Sequence, residues 1–63
     1  MYPNFYAELR KRRWKQKDLA DFLGITLSNV NLKLMGKQGW NLKDIKKVLK
    51  EFNVSFEYLF EER

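Results

Sequence analysis

The 63-residue chain contains no cysteine and no histidine. Their absence excludes disulfide staples and the ligand sets of zinc fingers, and removes two of the commonest catalytic side chains. One proline and three glycines in an otherwise ordinary globular composition exclude a disordered, collagen-like or low-complexity chain. No apolar run exceeds three residues, so no segment resembles a membrane span or a signal-peptide core. There is no glycine-rich phosphate loop, no metal cluster and no carboxylate pair that helical spacing would gather in a cleft. Asp18 and Asp21 lie one helical turn apart and are expected to face solvent. The expectation is a non-enzyme with no cofactor, no metal and no small-molecule ligand.

What the chain has is charge of one sign. Thirteen Lys and Arg stand against eight Asp and Glu, giving +5 at neutral pH and an isoelectric point near 9.7. Such an excess on a small body attracts polyanions: nucleic acid, an anionic membrane or an acidic protein. Cations cluster at Arg10, Lys11, Arg12, Arg13, Lys15 and Lys17, at Lys33 and Lys37, and at Lys43, Lys46, Lys47 and Lys50. Acids gather at Asp18 and Asp21 and at Glu57, Glu61 and Glu62. Asp44 and Glu51 dilute the third lysine group, which is expected to be a solvated face with internal ion pairs. The Arg10–Lys17 run lacks the broad apolar face of a membrane-surface helix, so no membrane partner is expected.

A chain this short makes one domain, residues 1–63, and buries about 60% of the surface its unfolded form exposes. Apolar spacing is helical nearly throughout. Asn4 is the candidate cap of a first helix reaching about Arg13, with Phe5, Leu9 and the stem of Arg12 or Arg13 facing inward. A second helix carries Leu19, Phe22 and Leu23 and stops at Gly24. Thr26 caps a third, with Leu27, Val30 and Leu34 inward and Gly36 closing it. Asn41 and Asp44 form a capping-box variant ahead of Leu42, Ile45, Leu49 and Phe52. Ser55 caps a short fifth helix bearing Phe56, Leu59 and Phe60. An apolar residue before each cap pairs with the fourth helical position: Trp14 with Leu19, Ile25 with Val30, Trp40 with Ile45, Val54 with Leu59. Lys15 occupies the second helix's cap and has no acceptor to offer. The fold class expected is all-α, a compact five-helix domain.

The stretch Gln16–Gly36 carries the functional signal. Only Gly24-Ile25-Thr26 joins the second and third helices, a turn short enough to send the third off steeply as in a helix-turn-helix. Ala20 leaves room for a close crossing. Gln16-x-x-Leu19-Ala20-x-x-x-Gly24-Ile25-Thr26, followed by Val30, Leu34 and Gly36, resembles the Cro and repressor type (XRE family) of bacteriophage and bacterial DNA-binding domains. The closing Val54–Phe60 segment is similar to that family's last helix. The resemblance implies a lambda-repressor-like fold, cytoplasmic and of bacterial or phage-infected-cell origin. It also implies a transcriptional regulator, with double-stranded DNA as partner and a palindromic operator bound by a weak homodimer. The sequence departs from the family at Lys15, where Ser or Thr is usual, at Lys33, where an apolar residue packs, and at Met35, a frequent asparagine.

A major groove about 12 Å wide admits one helix with a polar or small outer face. The third helix has Ser28, Asn29, Asn31, Leu32 and Lys33 off its apolar stripe, none of them acidic. The resemblance implies base contacts at Leu27, Ser28, Leu32 and Gln38, while Leu27 also has the spacing of a core residue. Gln16 would grip a phosphate at the start of the second helix. Lys15, Lys17, Asn29, Lys33, Lys37, the backbone at Gly39, and Asn41 are the other expected phosphate contacts. Phe56, Tyr58 and Phe60 are the spare apolar surface expected at a dimer interface. The competing reading is a protein-interaction module that presents Leu27, Leu32 and Met35 to a partner.

Overall fold

The computed structural model describes residues 1–63 and contains five helices and no strand. They are α1 (Pro3–Lys11), α2 (Gln16–Leu23), α3 (Leu27–Leu34), α4 (Leu42–Phe52) and α5 (Phe56–Leu59). None is long and apolar enough to cross a membrane. Thr26, Asn41 and Ser55 cap α3, α4 and α5, each accepting from the backbone N–H three residues on. The α1 start differs from expectation. Tyr2 holds the cap position and Pro3 the first helical one, where its missing N–H costs nothing. Asn4 instead donates across the molecule to the Tyr58 carbonyl at 2.9 Å.

One device ends each of the first four helices. Arg13, Gly24, Gly36 and Asn53 adopt left-handed backbone, with φ of 59°, 70°, 77° and 55°. The next N–H then reaches back five residues: Trp14 to Leu9, Ile25 to Ala20, Lys37 to Leu32 and Val54 to Leu49. Trp14, Ile25 and Val54 thus close one helix and, one residue before the next cap, brace the following one. Leu19, Val30 and Leu59, their partners at the fourth helical position, are buried. Arg13 is the unusual member, because its Cβ crowds the backbone at positive φ.

Phe5, Leu9, Leu19, Ala20, Leu23, Val30, Leu34, Val48, Phe52 and Leu59 make the core. Phe5 lies near its centre, stacked on Trp40 at 5.2 Å and edge-on to Phe52 and Phe60 at 6.0 and 5.6 Å. Trp14 extends the ring mesh to Phe22 and Phe52. Such pairs add about 0.5–1.5 kcal/mol each beyond burial.

Two helices are rolled away from the expected stripes. On α3 the buried residues are Val30, Lys33 and Leu34, while Leu27 is 51% exposed. On α4 they are Asp44, Val48 and Phe52, while Leu42 is 64% exposed. Leu27 and Leu42 are each the first residue of their helix.

A polar cluster fastens α1 to the chain's second half. The buried Glu8 carboxylate accepts from the Arg12 guanidinium at 2.6 Å and from the Tyr58 hydroxyl at 2.7 Å. Arg12 also donates to the Phe52 carbonyl at 2.8 Å and lies 4.3 Å from that ring's centre. The Tyr58 and Arg12 hydrogen bonds hold the Glu8 carboxyl below its ordinary value; the same bond to Glu8 pushes the Tyr58 phenol up.

Candidate nucleic-acid interface

The α2–α3 pair forms the most extensive helix–helix contact in the molecule. Gly24 ends α2 and Thr26 begins α3, so the turn itself is fixed by one left-handed residue and one cap. Ala20 is buried on α2 together with Leu19 and Leu23. The Asn31 side-chain amide on α3 donates to Gln16 Oε1 at 3.3 Å, which ties the start of α2 to the middle of α3. The Gln16 amide nitrogen is then left to donate elsewhere.

With 3.6 residues per turn, the exposed positions of α3 and its cap, Leu27, Ser28, Asn31, Leu32 and Met35, fall within an arc of about 140°. The arc holds no acid and no paired charge. Ser28 is exposed near its centre, and Leu32, 37% exposed, stands at one edge opposite Leu27. Asn29 is half-buried beside the arc, its N–H engaged by Thr26. Exposed Lys15 and Lys17 lie at the start of α2, on the side to which Asn31 links α3. Exposed Lys37 follows the other end of α3, and half-buried Gln38 follows Lys37. The Leu32 carbonyl accepts the N–H groups of both at 2.9 and 3.3 Å. Asn41 is exposed with its carbonyl oxygen committed to the α4 cap.

Two expected contacts need correction. Lys33 is 5% exposed and its ammonium donates to the Gly39 carbonyl at 2.8 Å, so it does not face a phosphate. The roll of α3 buries its methylene stem where an apolar side chain would otherwise pack. Phe60 is half-buried among Tyr2, Phe5, Trp40 and Phe56, with centroid distances of 5.0–5.6 Å, and belongs to the core edge rather than to a free surface. Phe56 and Tyr58 stay exposed, although the Tyr58 hydroxyl is held by Glu8. Lys47, expected on a solvated face, donates to the Phe22 carbonyl at 2.6 Å near the C-terminal end of α2.

Sequence reasoning missed the Gln16–Asn31 pair, the Lys33–Gly39 link and the Lys47 contact. None leaves a local signal: one joins two side chains and two join an ammonium to a backbone carbonyl, and in each the fold chooses the partner.

A family model described as BetR domain matches residues 7–63. Comparison with curated proteins and with solved structures finds no match.

Proposed function

Because this chain belongs to the BetR domain family, a small helical domain of DNA-binding type, we propose that it binds double-stranded DNA sequence-specifically, with α2–α3 as a helix-turn-helix and α3 in the major groove. The observation that carries the reading is the acid-free outer arc of α3, with exposed Lys15 and Lys17 at the start of α2 and exposed Lys37 just after the end of α3. These cations can meet the phosphates that border a groove, while Ser28, Leu32, Leu27 and Gln38 offer short polar and apolar groups to base edges. Gln16, with its amide nitrogen free, Asn29 and Asn41 add neutral donors to the backbone. Leu27 takes the base-contact role because its exposure removes it from the core. The role in the cell is that of a Cro- or repressor-like regulator of XRE type with no catalytic activity.

Two copies are proposed to meet on a palindromic site through exposed Phe56 and Tyr58, with half-sites about 34 Å apart. Sedimentation with such a duplex should give two chains per duplex; a strict one-to-one complex overturns this part.

Site selection with variants tests the assignment of α3. Ser28→Ala and Leu32→Ala should each change preference at one base position by about 1–3 kcal/mol. Lys37→Ala should weaken all duplexes alike and reduce the salt slope by about 0.9. If both α3 variants select the parent sequence, α3 is not the reader. The exposed apolar set Leu27, Leu32 and Met35 favours one alternative, a protein-binding face. That reading requires affinity for a protein partner with no salt-dependent duplex binding.

A further inference from the structure

Lys33 is a buried cation with no carboxylate partner. Taking a charge out of water is costly unless something compensates it. Here the Gly39 carbonyl, 2.8 Å from the ammonium, and the Trp40 ring, 5.4 Å from it, take that part. Both belong to the connection between α3 and α4.

The peptide plane carries the consequence. In a trans peptide the C=O and N–H point to opposite sides, and the chain has no cis bond. Drawing the Gly39 carbonyl toward Lys33 turns the N–H of the same peptide, contributed by Trp40, the other way. That N–H donates to no acceptor in the protein, and neither do those of Gly39 and Asn41. A cation against the carbonyl also polarises the peptide and strengthens its N–H as a donor.

We infer that Lys33 is a positioning residue for DNA binding: it fixes the Gly39–Trp40 peptide so that the Trp40 N–H donates to a backbone phosphate. The inference rests on the DNA reading above. Lys33 adds no contact of its own; it orients a neutral donor in the same connection as Lys37, whose exposed ammonium supplies the charge.

Lys33→Met keeps the stem and removes the ammonium, while Lys33→Arg keeps a cationic donor. Duplex affinity measured across a salt series should fall about tenfold for Lys33→Met, as for loss of one charge-assisted hydrogen bond, with the salt slope unchanged. Lys33→Arg should restore most of the loss. A slope lowered by about 0.9 in Lys33→Met means a direct ion pair and overturns the inference. A synthetic chain with an ester in place of the Gly39–Trp40 amide removes the N–H with Lys33 intact. It should lose about the same tenfold, with no further loss on adding Lys33→Met. If Lys33→Met does not fold, the ester chain decides alone, and parental affinity there overturns the inference. The parent chain is the control for the underlying reading. If it shows no salt-dependent duplex binding, the DNA reading falls and takes this inference with it. Parent binding that persists undiminished in the ester chain overturns this inference alone.

Discussion

Lys15 stands where a helix start disfavours it twice. It offers no acceptor to the first turn, and its charge opposes the positive end of the helix dipole. The Asp18 carboxylate repairs half of the defect by accepting the Lys15 N–H at 2.7 Å. Serine at this position would complete the reciprocal pair. Lys15→Ser should therefore stabilise the free domain by about 1 kcal/mol, seen as a higher urea midpoint. Under the proposed function the same change weakens DNA binding and lowers the salt slope by about 0.9, because a phosphate contact is lost. A gain in stability with undiminished DNA affinity would leave Lys15 with no part in binding.

At the scale of the element, the roll of α3 decides which of its leucines is core. Leu34 is fully buried, whereas Leu27 is half in solvent although both fit one apolar stripe. Leu34→Ala should cost about 2–5 kcal/mol and Leu27→Ala less than about 0.5, compared by denaturant unfolding. Comparable losses would restore Leu27 to the core. Helix existence and ends were legible in the sequence because their causes are local: Thr26, Asn41 and Ser55 as caps, Gly24 and Gly36 as stops. Roll was less legible, because Lys33 has an apolar stem as well as a charge, and Val48 competes with Leu42 for the buried side of α4. The candidate site shows the same division. Ser28 and Leu32 could be placed off the apolar stripe from spacing, and Lys15, Lys17 and Lys37 picked out as cations, while their site roles came from the resemblance; all are exposed. Lys33 could not be placed, since its partner Gly39 lies in a connection without periodicity.

For the molecule as a whole, the bond between Glu8 and Tyr58 spans fifty positions and joins the first helix to the last. It makes stability depend on pH in two windows. The Glu8 carboxyl is lowered by its bonds to Tyr58 and Arg12, so its contribution is complete above the ordinary value of 4.5 and is lost as pH falls through the folded value. The Tyr58 phenol is raised by Glu8, so its contribution is complete below the ordinary 10.0 and is lost as pH rises through the folded value. Urea midpoints measured from pH 2 to 7 should fall on the acid side, and Glu8→Gln should flatten that limb. Tyr58→Phe should move the acid limb toward higher pH. A parent and Glu8→Gln with the same acid slope would remove Glu8 from the cause.

The two indoles pack on the same core from different sides. Trp14 packs against Phe22 and Phe52, whereas Trp40 lies beside Lys33 next to the peptide proposed to meet a phosphate. The protein therefore carries two intrinsic fluorophores with separate assignments. With Trp14 replaced by Phe, the remaining emission is that of the α3–α4 connection and should change on titration with duplex. With Trp40 replaced by Phe, it is that of the α1–α2 junction and should follow unfolding while staying nearly constant on binding. Trp40, stacked on Phe5, reports folding as well as occupancy, so the Trp14 signal serves as the folding control for the Trp40 signal, without an attached dye.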